Sequence, residues 1–210
     1  MNKKAKEGKL ISRIDDLRLN SKVVNLINRR IREFDRVGED NERIFSELCF
    51  CLMTANFQAK KSWDLQKKHE ADFNSASQEE LMKILREGGH RFWPQRAERI
   101  VLARGKKEML FSKIQDADVR EWLVENIKGL GMKESSHFLR NIGMLDYAIV
   151  DFHIVDLLVD EGLIERPKTL TKKRYVEVED LLRSLSEKIE MSLGELDLYL
   201  WYLETGTILK

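Results

Sequence analysis

Cysteine is nearly absent from this chain: Cys49 and Cys51 are the only two in 210 residues. Two positions apart in a helical pattern, their side chains leave in well-separated directions, which excludes a disulfide or a shared metal between them. They read as reduced core residues. Proline is as scarce, with Pro94 and Pro167 alone, and no Gly/Ser-rich or low-complexity tract occurs. Any domain boundary is therefore a tight junction and not a flexible linker. No apolar run approaches the roughly 20 residues that a bilayer span needs, so no membrane partner is expected. The start, Met1-Asn2-Lys3-Lys4-Ala5-Lys6-Glu7-Gly8-Lys9, has no apolar stretch behind its basic residues to act as a signal peptide. A cytoplasmic location is expected, nucleoid-associated in a prokaryote. His69, His90, His137 and His153 fall into no spacing that gathers metal ligands. An excess of one charge is missing too. The formal net charge is +1 with 35% charged residues, so contact with a polyanion has to come from a local basic face.

What the chain has in quantity is apolar residues at helical spacing. At 42% hydrophobic, with four Trp and nine Phe, it can bury a sizeable core. Val23, Val24, Ile27, Ile31 and Phe34 follow Ser21 as a cap, and Ile44, Phe45, Leu48 and Leu52 follow Asp40. Ser77 and Glu80 form a capping box ahead of Leu81, Ile84 and Leu85. Tyr175, Val178, Leu182, Leu185 and Ile189 repeat at three and four. Ser192 with Glu195 opens a last helix that carries Leu193, Leu196, Leu200 and Leu203 up to Gly206. The fold is expected to be all-α, without internal repeats. Breaks near Gly38 and just before Asp151 divide it into a central helical subdomain, 39–149, and a second one formed by both chain ends, 1–38 and 150–210.

Chemistry concentrates at Ile127-Lys128-Gly129-Leu130-Gly131-Met132-Lys133. Gly129 and Gly131 can both take φ > 0, which gives a tight turn with outward N–H groups. A helix from about Met132 to Asn141, ended by Gly143, adds first-turn N–H groups and a partial positive charge. Gly129, Gly131 and Lys128 thus make a phosphate cradle that reads no base. Alone, such a turn is more often a plain connector between helices. That helix runs about 15 Å away from the hairpin, at ~1.5 Å per residue. The stretch from Met144 to Val150 is long enough to bring Asp151 back toward the hairpin end. Asp151 can cap the next helix, with Ile154, Val155 and Leu158 turned inward. The bland readings are an ordinary N-cap for Asp151 and a solvated first-turn lysine for Lys133. Beside a bound phosphate, however, an amine can displace a leaving group at an anomeric carbon and form a Schiff base. A nearby carboxylate stabilises charge on the sugar or moves protons as the base departs. That combination is N-glycosidic cleavage followed by strand scission.

Four blocks carry a resemblance: Leu52-Met53-Thr54-Ala55-Asn56, Arg96-Ala97-Glu98-Arg99-Ile100, Gly129-Leu130-Gly131-Met132-Lys133 and Val150-Asp151-Phe152-His153-Ile154. In this order they resemble the helix-hairpin-helix DNA glycosylase superfamily, to which endonuclease III belongs. The resemblance implies two closely packed helical subdomains with the active site in the cleft between them. It also implies Lys133 as Schiff-base nucleophile, Asp151 as essential carboxylate and Asn56 as the side chain that fills the gap left by a flipped base. The four-cysteine iron–sulfur loop of endonuclease III is missing. The ending Glu195 to Lys210, with Lys133 to Asn141 and Gly89-His90-Arg91-Phe92, instead resembles the compact archaeal-type 8-oxoguanine DNA glycosylase/lyase group. That likeness implies damaged double-stranded DNA containing 8-oxoguanine as the substrate. It implies no iron–sulfur cluster, room for a monovalent cation held by backbone carbonyls at the hairpin, and Lys210, with its amine and terminal carboxylate, near the base pocket.

8-Oxoguanine carries an N–H where guanine has a bare acceptor, so selectivity needs an acceptor aimed at it. The flipped base also needs a face to stack on. Trp201 fits that role by resemblance, while the sequence alone favours the plain core for it. Arg91 and Phe92 suit either an approach to the unpaired opposite base or a simple helix connector. The expected protein is a monomer without an obligatory protein partner. Two rivals stay open: a glycosylase for oxidised pyrimidines using the same Lys133 and Asp151, and a noncatalytic DNA-binding module whose lysine only touches phosphate.

Overall fold

The computed structural model describes residues 3–210, and among them every regular element is a helix, twelve in all. Chain contacts separate two compact units, Val37–Ile142 with Leu209, and Met1–Arg36 with Gly143–Ile208 and Lys210. The second junction lies at Gly143, whose φ of 89° ends a helix, and so comes earlier in the chain than the break expected just before Asp151.

The Val37–Ile142 unit is built on α3 (Asn41–Thr54), in which every residue from Ile44 to Met53 is buried. Asp40 caps it, accepting from the N–H groups of Glu42 and Arg43. A helix buried all round has to satisfy its one charged core residue internally. Glu47, 1% exposed, accepts from Asn141 Nδ2 at 2.6 Å and from Gln66 Nε2 at 3.2 Å. These bonds tie α3 to α4 (Ala59–Ser75) and to α9 (Met132–Asn141). Around them pack α5 (Gln78–Glu87), α6 (Trp93–Arg104), α7 (Lys107–Lys113) and α8 (Val119–Asn126). Ser77 and Glu80 form the capping box of α5, and α9 spans the residues its pattern predicts.

The other unit packs α1 (Lys3–Arg18), α2 (Ser21–Gly38), α10 (Phe152–Asp160), α11 (Lys172–Lys188) and α12 (Leu193–Thr205). Asn20, and not Ser21, caps α2: its Oδ1 accepts from Lys22 N at 3.1 Å and Val23 N at 3.5 Å. The helix therefore starts one residue earlier than expected, at a cap residue as good as serine. The core of α12 runs from Leu193 to Leu200, and Gly206 in the left-handed region ends it. Buried Glu161 at the end of α10 is held by Lys9 and Arg13 of α1. Cys49 and Cys51 are both buried, and neither is in a disulfide.

Candidate functional site

The hairpin between α8 and α9 forms from Ile127 onward. Leu130 N donates to Ile127 O at 3.1 Å, and Gly129 takes φ 101° to close the turn. Gly131 departs from expectation, since at φ −106°, ψ −171° it is extended backbone preceding the helix. One left-handed residue closes this turn, and the second glycine keeps the approach open. Leu130 is buried and anchors the loop.

Both hairpin lysines have acidic neighbours. Lys128 Nζ lies 2.7 Å from Glu98 Oε1 of α6, and Lys133 Nζ lies 3.1 Å from Glu134 Oε1. Glu134 also takes the Gly131 N–H at 3.3 Å, so a carboxylate sits at a helix start that otherwise receives an anion. Pairs this exposed are weak, and the singly charged phosphodiesters of a nucleic-acid strand can replace them. Arg99 adds a cation that sequence patterns did not single out. A Cβ built on Gly129 would lie 2.6 Å from Arg99 Cδ and 2.7 Å from its Nη1, which places the guanidinium against the turn. Its spacing on α6 carried the block Arg96 to Ile100 but gave no sign of which arginine reaches the hairpin.

These geometries separate the two glycines in a testable way. Gly129→Ala forces an L-residue into φ 101° and is expected to cost about 1–3 kcal/mol, read as a lower urea midpoint, with weaker duplex binding at low salt. Gly131→Ala meets only the Glu134 carboxylate, at 3.2 Å, and should cost well under half of that. Equal losses at both positions would contradict the turn described.

In the other unit, the strap before α10 is fixed from α11. Tyr175 Oη donates to Ala148 O at 2.7 Å and accepts from Val150 N at 3.1 Å. Glu179 Oε1 accepts from Ala148 N at 2.9 Å. Their helical spacing marked Tyr175 as core and gave no hint of this second task. Asp151 follows in extended conformation and caps α10, its Oδ1 accepting from Ile154 N at 3.0 Å. Ile154, Val155 and Leu158 are buried. Beyond the cap, the exposed Phe152 ring stacks on His153 at 4.0 Å, and His153 meets Trp201 edge-on at 4.9 Å. Trp201 is half-buried. Lys210 is half-buried as well. Lys133 belongs to the Val37–Ile142 unit, and Asp151, Trp201 and Lys210 to the other.

Asn56 and the Arg91–Phe92 pair share the Val37–Ile142 unit. Asn56 is exposed and sits at φ 57°, a region asparagine tolerates better than most residues. Phe92 is the N-cap residue of α6, with the guanidinium of Arg91 5.0 Å from its ring and that of Arg96 at 5.6 Å. Arg96 is buried, and burial, then the charge of Arg99, lowers its pKa to about 10. It spends a donor on Ala55 O at 2.5 Å.

Comparison with known proteins covers nearly the whole chain. A family model described as 8-oxoguanine DNA glycosylase matches residues 27–191. The 8-oxoguanine DNA glycosylase/AP lyase of Methanocaldococcus jannaschii is 46% identical over 206 residues, 96% of this chain and 99% of the relative. That of Korarchaeum cryptofilum is 47% identical over 195 residues, 90% of this chain and 93% of the relative. Among solved structures, the M. jannaschii enzyme in complex with a 15mer DNA containing 8-oxoguanine superposes with a TM-score of 0.90. It is 45% identical, and the match covers 96% of this chain and 100% of that one. The 8-oxoguanine DNA glycosylase of Thermotoga maritima also gives 0.90 at 42% identity, covering 97% of this chain and 100% of that one.

Proposed function

This chain belongs to the 8-oxoguanine DNA glycosylase family, and from that premise we infer how its residues divide the work. It is a bifunctional DNA N-glycosylase and AP lyase that excises 8-oxoguanine from damaged duplex DNA. The observation that carries the residue roles is the alignment of chemistry with that family likeness: a lysine on the first turn behind a phosphate-type hairpin, and an aspartate capping α10.

Lys133 Nζ attacks C1′ of the damaged nucleotide. The N-glycosidic bond breaks with its electron pair on the base, which takes up a proton. The C1′–O4′ bond then opens, O4′ is protonated, and the amine, having lost one proton and kept one, is left as an iminium at C1′. Removal of a C2′ proton expels the 3′ phosphate with the electrons of the C3′–O3′ bond, and water releases the lysine. Asp151 stabilises the cationic sugar while the base departs. Gly129, Gly131 and Lys128, with Arg99, hold the backbone phosphate. Asn56, Arg91 and Phe92 fill the gap and face the opposite base, and Trp201 and Lys210 border the base pocket. The 127–130 turn offers neutral backbone oxygens, a donor set suited to a singly charged cation and not to a transition metal. No iron–sulfur cluster enters this reading. The enzyme works as a cytoplasmic monomer without an obligatory protein partner.

A panel of duplexes with single lesions tests the substrate. Excision of 8-oxoguanine is expected to exceed that of thymine glycol or 5-hydroxycytosine by about a hundredfold or more, because a pocket built around an N–H donor leaves its acceptor unpaired with other bases. Faster release of an oxidised pyrimidine would reassign the substrate while leaving Lys133 and Asp151 in place.

A further inference from the structure

His90 belongs to no role derived so far, yet it is 1% exposed and fully committed. Its Nε2 lies 2.9 Å from Met53 O at the end of α3. Its Nδ1 accepts from Phe92 N at 3.1 Å. Since Nδ1 receives a proton, the ring's own proton sits on Nε2, and the imidazole is neutral. The Phe57 ring stacks on it at 4.0 Å. Burial, followed by the charge of Arg96 on α6, pushes its pKa down, against a bond to Met53 that pulls the other way.

These contacts close a loop. Met53 O is tied through His90 to the N–H of Phe92, and Ala55 O is tied through Arg96 to the ring of the same Phe92. Directly after the second of the two pinned carbonyls stands Asn56 in its left-handed conformation, with Phe57 N returning to Thr54 O at 3.0 Å. One imidazole thus joins the turn after α3 to the turn before α6, two segments with no continuous helix between them.

We propose that His90 is a positioning residue for base excision. As the neutral Nε2–H form, it locks the Asn56 turn to Arg91–Phe92, so that both insertion elements enter the duplex in one register. This rests on the reading of Asn56, Arg91 and Phe92 as the gap-filling and opposite-base residues. A helix-helix packing histidine needs only one bond and no defined tautomer. Here both nitrogens are used, each on a different insertion element, and protonation would cost the bond to Phe92.

The test is a double-mutant cycle with two readouts: single-turnover excision from an 8-oxoguanine duplex, and fluorescence of a 2-aminopurine placed next to the lesion, which rises as the stack opens. His90→Phe keeps the ring and removes both bonds. It is expected to slow excision about tenfold and to blunt the fluorescence rise. In a Phe92→Ala background the same change should add less than about twofold, since a residue acting through Phe92 has little left to lose. A full tenfold loss in both backgrounds, or none in either, overturns the proposal. If Asn56→Ala and Phe92→Ala themselves leave both readouts unchanged, the insertion reading falls and this inference with it. If those two are impaired while His90→Phe is silent, this inference alone falls. Should His90→Phe fail to fold, nitrogen-15 shifts of the unsubstituted protein near pH 7.5 still decide. A protonated Nε2 with a bare Nδ1 supports the lock, and the opposite tautomer or an imidazolium refutes it.

Discussion

Lys133→Gln is expected to abolish borohydride capture of 8-oxoguanine duplexes and to lower excision by about three orders of magnitude or more. The amide of glutamine has no lone pair available for C1′, so neither the iminium nor the reducible adduct can form. The substitution is otherwise mild. Lys133 keeps 35% of its side-chain surface exposed and, among the described residues, pairs with Glu134, and exposed pairs contribute about 0–1 kcal/mol. The hairpin closes through Gly129 and the Leu130–Ile127 bond, neither of which involves that amine. Duplex binding should therefore survive within a few-fold, set by Lys128, Arg99 and the backbone, and should weaken steeply with salt as phosphate contacts do. Capture that persists in the variant would move the Schiff base to another amine. A noncatalytic module makes the opposite forecast: no capture by the parent protein and a loss confined to binding.

The elements that locate this lysine follow from local physics, which is why they are legible in the sequence. Helix α9 begins after a glycine turn and ends before Gly143, whose φ of 89° no L-residue takes readily. Asp40, Ser77, Ser192 and Asp151 each announce a helix start through a side chain that meets an N–H two or three residues on. What stayed hidden are the partners that pair across sequence. His90 with Met53, Tyr175 with the 148–150 strap, and Arg99 with Gly129 are brought together by packing alone. Helical spacing sorts a residue into inside or outside; it does not say which backbone group meets an imidazole or a phenol. Gly131 shows the same limit. Two glycines in a turn permit two left-handed residues, and the approach of Glu134 to the Gly131 N–H settles on one.

Asp151→Asn separates the charge of that residue from its structural duty. Asparagine caps a helix as well as aspartate does, so the bond to Ile154 N at 3.0 Å persists. The strap ahead of it stays pinned by Tyr175 and Glu179. Folding stability should change by less than about 0.5 kcal/mol, whereas Asp151→Ala, which loses the cap, should cost about 1 kcal/mol. Only the negative charge proposed to stabilise the sugar disappears in the asparagine variant. Base release in single turnover is expected to fall about 10²–10⁴-fold, with duplex binding unchanged or tighter, since a carboxylate no longer repels the phosphates. The step after base loss asks less of this group, because the hemiacetal of an abasic sugar opens to an aldehyde that an amine condenses with, and no base has to leave. Borohydride capture of preformed abasic duplexes should therefore persist in Asp151→Asn while it vanishes in Lys133→Gln. An unchanged rate of base release would make Asp151 a helix cap and nothing more. Loss of both steps together would instead place it in activating the lysine.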